Sequence, residues 1–64
     1  MRQATEAEFQ TACAKAGYPA PRYMHAGNTQ DVLYSDRGTE VAQKTILHSY
    51  GRERVHYSVN PAYL

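Results

Sequence analysis

Three histidines, one cysteine and a loose group of arginines beside tyrosines are what this chain offers for chemistry. His25, His48 and His56 are not paired at i, i+4, and neither H-E-x-x-H nor H-x-H occurs. A structural zinc site needs four ligands, usually including a close C-x-x-C pair. Here His25, His48, His56 and Cys13 would all have to converge through the fold. Surface or half-buried histidines are therefore expected, with no metal and no cofactor. Cys13 falls on the apolar stripe of a predicted helix, toward the end where the helix dipole raises a thiol pKa. A nucleophilic cysteine prefers an exposed electropositive site or a helix N-terminus, so Cys13 reads as a small core hydrophobe. Asp31 and Asp36 flank a predicted strand, and Glu6 and Glu8 suit a helix start. A glycosidase-type carboxylate pair needs a cleft that 64 residues can hardly build. Phosphate-cradling motifs of the types G-x-x-x-x-G-K-[ST] and G-x-G-x-x-G are missing too. The expectation is a protein that is not an enzyme.

The cations carry more information. Arg52 and Arg54 frame Glu53, beside Tyr50, His56 and Tyr57, and Arg22 precedes Tyr23. If the strands holding Arg22 and Arg54 were neighbours, Arg22, Arg54 and His56 would form a basic stripe with interleaved aromatics. Single-stranded nucleic acid favours such a surface. A sheet edge guarded by charges against aggregation explains the same residues. Six tyrosines accompany one phenylalanine and no tryptophan. Tyrosine offers rigid amphipathic area and is favoured at interfaces. Tyr18, Tyr34 and Tyr57 are expected in the core, and Tyr23, Tyr50 and Tyr63 on a contact surface. Arg22, Tyr23, Tyr50, Arg52, Arg54 and His56 are the candidate binding residues.

Local signals define the elements that must position them. Thr5-Glu6-Ala7-Glu8 is a capping box, and Phe9, Ala12, Cys13 and Ala16 form one apolar stripe at helical spacing. Gly17 suits a left-handed cap, Tyr18 could fold back on Cys13, and Pro19 stops the helix. This predicts a helix over Thr5–Ala16, after a frayed Met1–Ala4. Its small, narrow stripe suits close packing on a sheet. Arg22–Ala26 and Asp31–Ser35 read as strands joined by a turn at Gly27–Gln30, and Asp36-Arg37-Gly38 reads as another turn. Thr39–Tyr50 is ambiguous. As a helix it runs from a Thr39 cap to Gly51, with Ala42, Ile46 and Tyr50 on one face. Against this, Val41, Thr45 and Ile46 are β-branched. As a strand over Ile46–Tyr50 it turns at Gly51-Arg52, but Glu40–Thr45 then alternates poorly. Arg54–Val59 is a strand with Val55, Tyr57 and Val59 on one face and Arg54, His56 and Ser58 on the other. Asn60-Pro61 ends it.

The preferred assembly is α+β, α-β-β-α-β with a three-stranded sheet. The alternative is one N-terminal helix on a four-stranded antiparallel meander. Phe9, Cys13, Val32, Tyr34, Ile46, Leu47, Val55, Tyr57 and Val59 are the expected core.

The 64 residues allow one domain with a small core, and such chains gain stability from a disulfide, a metal or a partner. A lone cysteine makes no internal disulfide and suits a reducing compartment. A net charge of +1 gives no general hold on nucleic acid or membrane. No run is long and apolar enough for a bilayer or a signal peptide, so a cytoplasmic location is expected. By elimination, the expected function is non-catalytic binding of a protein partner, with a homodimer possible. Small proteins of this kind occur among bacteriophage and mobile-element accessory proteins, including inhibitors of host enzymes or defence complexes such as anti-CRISPR proteins. The alternative is a small nucleic-acid binder using Arg22, Arg52, Arg54 and nearby tyrosines.

Overall fold

Three two-residue turns set the architecture. A computed structural model describes residues 1–64. Strand β1 (Arg2–Ala4) leads into helix α1 (Glu6–Lys15), followed by β2 (Pro21–Ala26), β3 (Thr29–Asp36), β4 (Thr39–Ser49) and β5 (Arg52–Val59). A short 3-10 turn, Pro61–Tyr63, closes the chain. The turns are Gly27-Asn28, Arg37-Gly38 and Tyr50-Gly51. In the last two both central residues have positive φ, 51° and 84°, then 49° and 73°. That is the type I′ requirement, whose twist matches antiparallel strands. Each turn therefore returns the chain beside itself. The sheet has the order β1-β5-β4-β3-β2, antiparallel throughout.

The expected α-β-β-α-β order and three-stranded sheet are not what the chain adopts. It has one α-helix and a five-stranded sheet, closer to the one-helix meander. Thr39–Tyr50 is not a helix: β4 occupies Thr39–Ser49 and is the central strand, paired with β3 on one side and β5 on the other. β-branched Thr39, Val41, Thr45 and Ile46 favour this pleated, doubly paired position. The next turn falls at Tyr50-Gly51, one residue before the expected Gly51-Arg52. Met1–Ala4 is not frayed either, since Arg2, Gln3 and Ala4 pair with Val59, Ser58 and Tyr57.

A β-bulge explains the poor alternation in β4. Tyr34 pairs with Ala42 and Ser35 with Glu40, so Val41 is the extra residue. A bulge lets consecutive side chains turn to the same side. Val41 and Ala42 are both fully buried as a result, which regular alternation over a one-sided core would forbid. Asn60 secures the irregular backbone. Its N–H donates to the Val41 carbonyl at 2.8 Å, and its side-chain Nδ2 donates to the Glu40 carbonyl at 2.9 Å. Its Oδ1 accepts from the Ala62 N–H at 3.1 Å and so starts the 3-10 turn.

Helix α1 has the expected caps. The Thr5 hydroxyl accepts from the Glu8 N–H at 3.2 Å, and Glu8 Oε1 accepts from the Thr5 N–H at 3.0 Å. At the other end Tyr18 N–H donates to the Cys13 carbonyl at 2.9 Å and Gly17 N–H to that of Ala14 at 3.0 Å. These are the two bonds of a Schellman cap. The Tyr18 ring does not fold back on Cys13. The chain leaves the cap through a second left-handed residue, φ 54° at Tyr18, and the ring stays exposed.

The helix packs on β4 and β5 at the end holding β1 and the 3-10 turn. Phe9, Ala12, Cys13, Val41, Ala42 and Val59 are buried together, with Ala4, Ala16, Tyr34, Tyr57 and Tyr63 around them. Alanine at 12 and 42 lets helix and sheet approach closely. Phe9 meets Tyr34 edge-on at 5.5 Å and Tyr57 at 4.9 Å between ring centroids. Val32 is buried as well. The other expected core residues lie beyond the helix: Ile46 and Leu47 are half-buried, and Val55 is 37 % exposed.

Two outcomes follow. Asn60→Asp replaces the donor aimed at Glu40 with a second acceptor, so chemical denaturation should show a loss of about 1–2 kcal/mol. An unchanged midpoint would mean that the bulge stands without it. The second concerns acid. Glu8 has its pKa lowered, chiefly by the Thr5 backbone N–H, with help from the Thr5 hydroxyl and the Arg2 guanidinium and opposition from partial desolvation. A carboxyl depressed in the folded state contributes stability above its unfolded pKa and loses it as pH falls through the folded value. Wild-type protein should thus lose more stability than Glu8→Gln on acidification through and below the ordinary glutamate range. Parallel pH dependences of the two thermal midpoints would contradict this.

Candidate functional site

The end of the sheet that α1 does not reach carries two turns side by side. The Gly27-Asn28 turn is tied to β4 by His48 N–H donating to the Asn28 carbonyl at 2.9 Å. Beyond it projects the β4–β5 hairpin with Tyr50 at its tip. Tyr50 is 102 % exposed, and its φ of 49° is left-handed. A bulky residue there is a conformational outlier, because its Cβ crowds the following carbonyl. Such turn positions usually carry Asn, Asp or Gly. No packing offsets the strain at Tyr50.

Shallow grooves flank the tip. One of ≈ 370 Å³ runs along Asn28, His48, Tyr50, Arg52 and Glu53. The other, ≈ 740 Å³, shares Asn28, His48, Ser49, Tyr50 and Arg52 and adds Leu47 and Arg54. The pleat separates their chemistry. Pairing of Thr45 with His56, Leu47 with Arg54 and Ser49 with Arg52 places these six on the sheet face opposite the helix. Ile46 with Val55 and His48 with Glu53 lie on the helix side. His48 Nδ1 sits 4.0 Å from Glu53 Oε2, both exposed, a spacing too long for a hydrogen bond. Arg52 and Arg54 have no carboxylate partner within ion-pair distance.

The six residues singled out from sequence divide into two groups. Tyr50, Arg52 and Arg54 come together at the tip, and His56 follows on the same face of β5. Arg22 and Tyr23 lie on β2, at the far side of the sheet. Two strands separate β2 from β5, so Arg22 stands roughly 14 Å across the sheet from the β5 row. Arg22, Arg54 and His56 thus share a face but form no continuous stripe. Tyr23 points to the opposite face, since it pairs with Val32 and, through it, lies in the row of Lys44 and Tyr57.

The tip also uses Asn28, Leu47, His48 and Ser49, which sequence reasoning did not assign to a site. The strand reading with its turn at Gly51-Arg52 sets His48 opposite Val55 and Leu47 opposite His56; the turn at Tyr50-Gly51 is what brings His48 to Glu53 and Leu47 to Arg54. The nearness of Asn28 depends on tertiary pairing and has no local signal. Cys13 is buried beneath the helix, and burial raises its thiol pKa. His25 is on β2, His48 at the tip and His56 on the opposite face from His48. No group of three or more His, Cys, Asp or Glu side chains is placed to hold a metal ion. No helix is long and apolar enough to cross a membrane.

No protein-family model matches the chain, and neither curated proteins nor solved structures yield a match. The chemistry of the site therefore carries the functional reading alone.

Tyr50→Asn places a residue tolerant of left-handed backbone at the turn. It should raise stability by about 0.5–1 kcal/mol, since the ring has no contacts to lose. A destabilised variant in thermal or denaturant unfolding would show that the ring supports the fold.

Proposed function

We propose that the protein is a non-catalytic binding protein that engages a protein partner through the β4–β5 tip, with Tyr50 as anchor and Arg52 and Arg54 beside it. One observation supports this reading above the others: a fully exposed tyrosine is kept at a strained turn position where the fold gains nothing from it. Residues held against local preference without a structural return occur disproportionately at functional sites. Tyrosine and arginine are also the residue types that dominate binding energy at protein interfaces. Arg52 and Arg54 would meet acidic or carbonyl groups rimming the pocket that receives the Tyr50 ring.

The nucleic-acid alternative needs cations and stacking rings on one surface. Here Tyr23, Tyr34 and Tyr57 are on the helix side, while Arg22, Arg52 and Arg54 are on the other. Only Tyr50, at the end of the sheet, can approach the arginine row. A small binder without catalytic groups acts by occupying its partner's surface. Inhibition of an enzyme or a defence complex is thus the form of activity to assay first.

The test compares tagged wild-type protein with Tyr50→Asn and Arg54→Ala in capture from the native host. Labelled single- and double-stranded oligonucleotides are titrated in parallel over a salt series. The proposal expects a protein recovered by wild type and lost with both variants, and no salt-dependent oligonucleotide binding. Oligonucleotide affinity that falls steeply with salt would transfer the site to nucleic acid. Recovery of the same proteins by all three forms would remove the tip from the contact.

A further inference from the structure

We infer that the free edge of β2 pairs with β2 of a second copy, in an antiparallel register centred on Met24, to give a dimer with one continuous ten-stranded sheet. The sheet ends at β2, whose six residues Pro21–Ala26 are all exposed and pair only with β3. Residues flanking a two-residue hairpin turn form a hydrogen-bonded pair, and such pairs alternate with unbonded ones along the strands. Ala26 flanks the turn opposite Thr29. The N–H and C=O groups of Ala26, Met24 and Arg22 accordingly face β3. Those of Tyr23 and His25 face outward, together with the carbonyl of Pro21. Proline, which has no N–H, thus sits where its missing donor breaks no bond within the sheet.

Self-complementarity singles out the second copy and fixes the register. Two copies of β2 related by a two-fold axis must pair outward-facing residues with each other. Centring on Tyr23 would set Pro21 opposite His25 and forfeit two donors. Centring on His25 would set the two histidines directly opposite one another. Centring on Met24 pairs Tyr23 with His25 of the second copy, and the reverse, so that four hydrogen bonds form and every outward N–H of β2 is used. In that register Tyr23 packs across His25 on the helix side, Met24 meets its own copy on the other face, and Arg22 lies opposite Ala26. No like charges are opposed. Tyr23 and Met24, 59 % and 45 % exposed, are covered in the process.

The other unpaired edge differs. β1 covers only Tyr57–Val59 of β5. The uncovered part begins Arg52-Glu53-Arg54, charged residues of the kind that deter edge pairing. On β2 a regular register with no bulge, and with tyrosine and methionine at its centre, leaves the edge available. Four hydrogen bonds and a few side-chain pairs make a small interface, below roughly 1,200 Å² in total. The dimer is correspondingly weak, with a dissociation constant on the order of micromolar or higher. It uses neither Tyr50 nor Arg54 and stands independently of the proposed tip contact.

Sedimentation from about 1 μM to about 1 mM brackets that affinity and should show a concentration-dependent monomer–dimer equilibrium. Met24→Lys sets two cations face to face at the axis while leaving every β2–β3 hydrogen bond in place. It should stay monomeric throughout with unchanged circular dichroism. Met24→Cys tests the register directly. Unbonded antiparallel pairs hold their Cα atoms about 4.5 Å apart, within the span of a disulfide. Mild oxidation should therefore cross-link Met24→Cys efficiently. Arg22→Cys, opposite Ala26 rather than itself, should cross-link at least several-fold less. A wild-type monomer at the highest concentration overturns the inference. So does a Met24→Lys dimer, or equal cross-linking at positions 22 and 24.

Discussion

A helix of ten residues is about 15 Å long, and it lies on a sheet whose central strand has eleven residues and spans roughly 36 Å. The chain has one such helix and nothing to cover the other face of the sheet. Burial concentrates where Phe9, Ala12 and Cys13 meet Val41, Ala42 and Val59. Everything beyond that contact is a sheet held by backbone pairing and cross-strand side chains. Val55 shows the limit: it shares a face with Tyr57 and Val59, yet it is exposed because the helix has ended.

So small a contact makes its irregular parts important. The bulge brings two consecutive residues of β4 under the helix instead of one, enlarging the core without adding a residue to α1. It also leaves β4 carbonyls without their regular ladder partners, and Asn60 takes two of them. The 3-10 turn that Asn60 starts carries Tyr63 onto the core. The N-terminus is fixed from the same side, since β1 pairs with the last residues of β5 and Ala4 joins the cluster. Both chain ends thus reinforce the end that α1 covers.

Features governed by neighbours in sequence were legible before the fold was known. The Thr5–Glu8 box, the stripe of α1, the left-handed Gly17 and the two faces of β5 are such cases. The departure lies in Thr39–Tyr50. Its helical reading drew on Ala42, Ile46 and Tyr50 falling four apart, and its strand reading was weakened by lost alternation. The bulge that causes the loss is hydrogen-bonded by Asn60, nineteen residues after Val41, and no local window contains both. Tyrosine roles were mixed for a similar reason. Tyr34 and Tyr57 flank Phe9 as expected, but Tyr63 packs on the core and Tyr18 is in solvent. Which tyrosine finds the core depends on where the chain ends dock. The candidate site was half legible: Tyr50, Arg52 and Arg54 are near in sequence and near in space. Arg22 and Tyr23 are separated from them by two strands whose order the sequence does not state.

Burial and exposure divide the two ends of the sheet between them. At the end the helix does not reach, Tyr50 holds a left-handed backbone with no packing around its ring. Tip residues stand apart from Phe9 and Val59, since none of them belongs to the buried cluster or packs against it. Conversely, a partner bound as proposed, at Tyr50 or β2, would brace the half of the sheet that the helix does not cover. Binding only the folded form stabilises it by mass action. The short helix therefore leaves the Tyr50 end of the sheet exposed and gives it little support beyond strand pairing.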